Sequence, residues 1–297
     1  MSSVANPVVQ QPVETADPKN PRIPWTSLLW FLGLLILAYA PVLWRLVQQW
    51  NDDEDMGHGF FVPVTAAYIA WQKRHELFRQ ELKASYFGLA IVAFAAAQLW
   101  IGTLGAELFL ARTAFIEAVV GAVLLLGGWN ALRVMAFPLF LLCFMVAIPT
   151  VIYNQITFPL QIFASKVAAT VLELLGVPVL RDGNVLELAS QKLSVVEACS
   201  GIRSLLSLTF LCLVYGYFFD GRTWMRITLF ILTVPIAIAA NAGRVTLTGL
   251  LSEINPELAH GFMHTASGWA IFMIALAMLV VTHQVISRVF KKFHERQ

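Results

Sequence analysis

The chain has 297 residues, of which 58% are apolar and 13% charged. Soluble domains are typically about 45–50% apolar and about 25% charged, so a single aqueous core cannot hide this surface and lipid is the expected solvent. A formal net charge of +2, with no basic run interleaved with aromatics, gives no sign of nucleic-acid binding, and three cysteines without CxxC spacing exclude a zinc knuckle or a disulfide framework.

Residues 1–24 are polar and carry Pro7, Pro12, Pro18, Pro21 and Pro24, the composition of a flexible tail. Apolar segments then recur at about 25–47, 58–72, 85–104, 108–128, 131–153, 201–219, 227–250 and 267–286. A span needs roughly 20 residues at helical rise, which the short 58–72 segment approaches least well. Ala38-Tyr39-Ala40 resembles a signal-peptidase site, but Pro41 follows at once and the apolar run continues, so an uncleaved helix is expected.

Lys and Arg set the orientation. Lys19, Arg22, Lys73, Arg74, Arg79, Lys83, Arg133, Arg222, Arg226, Arg288, Lys291, Lys292 and Arg296 all fall on one side if every segment crosses once. That side is then cytoplasmic, with both termini. The opposite side receives Asp52-Asp53-Glu54-Asp55 and the stretches 154–200 and 251–266. Within 154–200, residues 155–175 suit a helix lying in or dipping into the interface; their spacing leaves a full crossing open. Val177–Leu180 and Val185–Leu188 read as a hairpin around Arg181-Asp182-Gly183-Asn184, with a third strand at Leu193–Val196. The expected fold is an all-α integral membrane protein of about eight transmembrane helices, with an interfacial helix and a small β-hairpin on the non-cytoplasmic side. Its divisions are a tail at 1–24, one polytopic domain at 25–287 with the 154–200 insert, and a basic tail at 288–297.

Cys143 and Cys212 sit within apolar segments and read as small apolar residues. Cys199 differs. It stands in Glu197-Ala198-Cys199-Ser200-Gly201-Ile202-Arg203, just before the expected start of a helix. Backbone N–H groups and Arg203 there would lower its pKa toward a thiolate, and an inert thiol is the competing reading. Asn241-Ala242-Gly243-Arg244 interrupts the seventh segment near the same membrane face. Arg244 is a functional candidate by its place in a span, or else snorkels to headgroups or pairs with Glu107, Glu117 or Glu197. His260 and His264 fall on that face too. Their i, i+4 spacing is compatible with a metal site, but the stretch lacks the Glu of HExxH and shows no third ligand, so no metal or cofactor is expected. One histidine as a proton donor or acceptor fits better. A thiol, a guanidinium and an imidazole on one face make an acyl-transfer site in which the thiolate attacks a carbonyl.

At these residues the sequence resembles the exosortase/archaeosortase family of membrane cysteine transpeptidases. Glu197–Ser204 (EACSGIRS) looks like the family's cysteine motif, and GVPVLRDGNVLEL before it also fits. Asn241–Arg244 looks like the arginine motif, Gly261–Trp269 like the histidine motif, Gly57-His58-Gly59-Phe60-Phe61-Val62-Pro63 like the short His-Gly motif, and Ile148-Pro149 like a smaller landmark. The resemblance spans about residues 50–280. It implies Cys199 as nucleophile, Arg244 as the oxyanion-stabilising or thiolate-pairing residue, and His264 as the proton-transfer residue. Arg203, Glu197, Asn241 and His58 would support the site or bind substrate. It further implies secreted substrates with a tripartite C-terminal tail, made of a short Pro-Glu-Pro-type motif, a hydrophobic span and basic residues. These would be cut through a thioester and passed to an amine acceptor that the sequence leaves open, at a bacterial inner membrane. Arg203 or Arg181 would pair with the tail's acidic residue. The competing readings are a transporter using Arg244, Glu117 and Lys166, or a structural subunit of an exopolysaccharide export machine.

Overall fold

The computed structural model describes residues 25–195, 201–255 and 261–294. Helix α1 (Trp25–Asp52) leads through a 3-10 helix (Glu54–Phe60) into α2 (Phe61–Gln72) and the short α3 (Arg74–Arg79). A hairpin of α4 (Tyr86–Leu104) and α5 (Leu108–Leu141) follows, then a second 3-10 helix (Leu142–Met145) and α6 (Thr150–Leu174). Strands β1 (Val179–Asp182), β2 (Val185–Leu188) and β3 (Lys192–Ser194) precede α7 (Gly201–Phe219), α8 (Thr223–Ile254) and α9 (Gly261–His294).

Small residues bring α4 and α5 together. The buried positions of α4 are Gly88, Ala95 and Gly102, seven apart and therefore on one face. A Cβ on Gly88 would collide with the Leu125 backbone, and one on Gly121 would stand 2.9 Å from Val92 Cγ2. Backbones this close gain dispersion contacts where lipid gives helices no hydrophobic reason to associate. Tyr39 of α1 donates its hydroxyl to Ala114 O at 3.2 Å, fastening the first helix to this pair.

One sequence boundary holds and one moves. The expected gap between the 108–128 and 131–153 segments falls at Gly128 (φ 70°, ψ −167°), where a side chain would strike the Lys83 carbonyl and where α5 turns back, so that Val134, Met135 and Leu139 pack with Val119, Val120 and Val123. The 131–153 segment is instead broken at 146–149. Pro149 offers no N–H and disfavours helical backbone in the residue before it, so a new helix starts at Thr150. Among the described residues, five helices are long and apolar enough to cross a membrane: Trp30–Asp52, Tyr86–Leu104, Leu108–Met145, Thr223–Ile254 and Gly268–Lys292. Leu205–Phe219 is apolar but shorter, and α2 has 12 residues.

The three strands form an antiparallel sheet in sequence order. Asp182 faces Val185, so the turn is Gly183-Asn184 alone, with Arg181 and Asp182 inside β1 rather than in the turn. Gly183 takes a positive φ of 59°, as two-residue hairpin turns demand. The tip is latched to α6: Ser165 Oγ donates to Gly183 O at 2.9 Å, and Asn184 Nδ2 donates to Gln161 Oε1 at 3.3 Å. Leu186, Leu188, Leu193 and Val195 bury themselves with Ala168, Ala169 and Leu172 of α6 and Val245 of α8.

Helices α7, α8 and α9 pack as a three-helix unit. Leu205 and Leu208 of α7, Ala237 and Ala240 of α8, and Ile271 and Ala275 of α9 share one core cluster. Asp220 closes the opposite end. Its carboxylate accepts Arg222 Nη2 at 2.6 Å, Arg222 Nε at 3.0 Å and His283 Nε2 at 3.0 Å. With Nε2–H given to the carboxylate, His283 Nδ1 accepts the Tyr215 hydroxyl at 2.8 Å. Arg222 Nη2 also donates to Ser287 Oγ at 2.9 Å, so the α7–α8 turn and α9 are tied together.

Candidate active site

Of the residues singled out in the sequence, Asn241 and Arg244 lie toward the end of α8 away from Asp220. Arg244 sits in α8, which runs as unbroken helix through Asn241–Arg244 rather than being interrupted there. Its side chain is 6% exposed. It therefore does not snorkel to the surface. Nor do the two α5 carboxylates hold it: Glu107 accepts the Leu110 backbone N–H at 2.9 Å, and Glu117 accepts Gln98 Nε2 at 3.4 Å. The guanidinium is lodged against α9 at Gly268. A Cβ there would be 3.0 Å from Arg244 Nη2 and 3.1 Å from Cζ. Gly268 is four residues after His264, one helical turn along α9.

Asn241 is 5% exposed and one turn before Arg244 on the same side of α8. With Leu160 of α6, Leu205 of α7, Ala237 and Ile238 it lines a narrow pocket where the three helices meet. Leu205 is six residues beyond Cys199 in the chain. On the other flank, Val195 at the exit of β3 is fully buried in the cluster that contains Val245, the neighbour of Arg244. The chain thus leaves the sheet beside Arg244 before α7 begins at Gly201. Glu197, Cys199 and His260 lie outside the described residues, as do the side chains of Arg203 and His264. The backbones of Arg203 and His264 fall in the first turns of α7 and α9.

His58 takes a supporting place. Its Nε2 donates to Phe144 O at 3.1 Å, and its Nδ1 accepts the Ser207 hydroxyl at 3.3 Å. It joins the first 3-10 helix to the second and to α7. Gly59 beside it is required by packing, because a side chain would collide with the Trp50 indole, which donates Nε1–H to Met145 O at 2.9 Å. Arg181 is exposed on β1 and donates to Gly183 O at 2.9 Å. The residues of the transport reading are scattered: Glu117 belongs to the α4–α5 pair, Lys166 is exposed on α6, and Arg244 is buried in α8.

Sequence reasoning gave no role to Gly268, although it stood in the quoted Gly261–Trp269 stretch. Its i+4 spacing from His264 was the available signal. It also missed Ser207, whose signal was a position eight residues after Cys199 on a helix face.

Against known families, residues 50–281 match the transmembrane exosortase family. The chain belongs to that family. The matched range takes in His58, Cys199, Arg244, His264 and Gly268. No curated protein and no solved structure matches the chain. As an exosortase, it is a multi-pass membrane protein of a family that acts on secreted proteins carrying sorting signals.

Proposed function

We propose that this exosortase is a cysteine transpeptidase that removes C-terminal sorting tails at the non-cytoplasmic face of a bacterial inner membrane. Eight crossings with both termini in the cytoplasm put the ends of α7, α8 and α9 that carry the site on that face. The substrate is a secreted protein whose tail has a Pro-Glu-Pro-type motif, a hydrophobic span and basic residues. The span shares the bilayer with the enzyme, so the scissile bond meets the site at the interface. The Cys199 thiolate adds to the scissile carbonyl, and Arg244 stabilises the oxyanion. His264 gives its proton to the departing amine, leaving a thioester on Cys199. An incoming amine then displaces the thiolate and returns a proton to His264. No cofactor enters these steps.

The observation that carries this reading is the buried Arg244 guanidinium seated on Gly268, one turn from His264. A buried cation in an apolar helix is costly and marks a functional position, and stabilising a developing oxyanion is a role that a guanidinium there can fill. The test is co-expression with a secreted reporter bearing the tripartite tail, followed by its size. Wild type shortens the reporter. Cys199→Ala leaves it full length, Arg244→Ala slows shortening by roughly 10²–10³-fold, and His264→Ala by roughly 10²–10⁴-fold. Normal shortening by all three variants contradicts the proposal.

A further inference from the structure

Among the described residues, Arg112 is the other deeply buried arginine, and the mechanism above does not use it. It lies on α5 four residues after the helix begins, 6% exposed, with its Nε buried and without a hydrogen-bond partner. It lines a pocket between α1 and the α4–α5 turn, together with Pro41, Arg45, Thr103 and Glu107. Arg45 is exposed at the mouth, and no carboxylate among the described residues forms an ion pair with either arginine. Glu107 lies near enough to attract Arg112 without forming an ion pair and accepts the Leu110 N–H, and Thr103 Oγ1 gives its proton to Leu99 O at 2.7 Å. Two guanidinium groups against one carboxylate leave the pocket with one net positive charge.

Its depth follows from the α4–α5 turn. Residues 104–108 join two apolar helices and so stand at a membrane boundary, whichever leaflet that is. Trp44 and Trp100 are 64% and 73% exposed on the neighbouring surface, as aromatic side chains are at headgroup level. Pro41, Val42 and Leu108 supply the pocket's apolar lining, and Pro41 and Leu108 are exposed at its edge.

We infer that this pocket binds the phosphodiester of an anionic phospholipid. The phosphate is held between Arg45 and Arg112, and the acyl chains leave past Pro41, Val42 and Leu108. A guanidinium fork matches phosphate oxygens in geometry as well as charge. A headgroup with one net negative charge neutralises the pocket, whereas a zwitterionic one brings a second cation to it. The site is formed by α1, α4 and α5 and does not depend on the peptidase reading.

The test is thermal unfolding of the full chain in a neutral detergent, with phosphatidylglycerol, phosphatidylethanolamine or inorganic phosphate added. Phosphatidylglycerol at about a hundredfold excess over its Kd raises Tm by about 5 °C, and the other two do not. Arg45→Gln, an exposed change that leaves the fold intact, removes most of that rise, and Arg112→Gln removes it wherever the variant folds. The same rise in Arg45→Gln as in wild type overturns the inference. So does an equal rise with phosphatidylethanolamine, or one with inorganic phosphate alone.

Discussion

Gly268 turns a small residue into a positioning device. A methyl there would press on the end of the Arg244 side chain, which can swing away, so the cost falls on the guanidinium's position more than on the fold. Gly268→Ala is expected to cut tail shortening about tenfold or more while Tm changes little, since a misplacement of about 1 Å can cost about 10²-fold in rate. Reporter processing measured beside a melting curve checks this. Asp220 makes a different point. Hydrogen bonding from Arg222, with help from His283, holds its carboxyl well below the usual carboxylate range despite burial. A depressed folded pKa means that the stabilisation is complete above the unfolded value of about 3.9 and fades as pH falls toward the folded one. Asp220→Asn should therefore be less stable than wild type at neutral pH, and the gap should close below about pH 4. Melts across that range decide it. The sequence made Arg244 and His58 legible because polar groups in apolar segments are conspicuous. Asp220 and Gly268 were not, because a loop aspartate and a helix glycine acquire their roles only from neighbours distant in the chain.

At the level of elements, the α4–α5 pair depends on small residues along one face of α4, with Gly88 against Gly121 and Leu125 and Gly102 against Ala111. Gly88→Val would force backbone apart rather than displace a flexible tip. Overpacking of this kind costs at least about 1–3 kcal/mol, and a fall in folded yield and Tm in detergent is the expected readout. The apolar pattern marked both segments and the break between them, which falls at the Gly128 kink, where the second half of α5 turns back onto the first and Val134 packs with Val119 and Val123. The kink depends on the Lys83 carbonyl, 45 residues earlier by number, approaching a residue that has no side chain. The break at 146–149 was written locally in Pro149, and an apolar window spanning it concealed the fact. The hairpin was legible to within two residues, since Asp-Gly marks the turn, while the choice of Gly183-Asn184 follows from pairing register and the latch to α6.

For the whole molecule, composition identified the solvent and motif order identified the family, because neither requires knowing how helices pack. The sequence could not show how α7, α8 and α9 are held against one another. Packing of Leu205, Ala240 and Ile271 at one end and the Asp220 network at the other fixes α7, α8 and α9 against sliding. If Arg244 faces Cys199 across that unit, the cation must be felt by the thiol. The most direct measurement is the pH dependence of Cys199 alkylation by iodoacetamide, in full-length protein carrying Cys143→Ser and Cys212→Ser. The expected midpoint lies below the about 8.5 of a free thiol and rises by about one unit or more in Arg244→Gln. A midpoint at the free-thiol value that neither Arg244→Gln nor His264→Gln moves would mean that the three side chains do not meet.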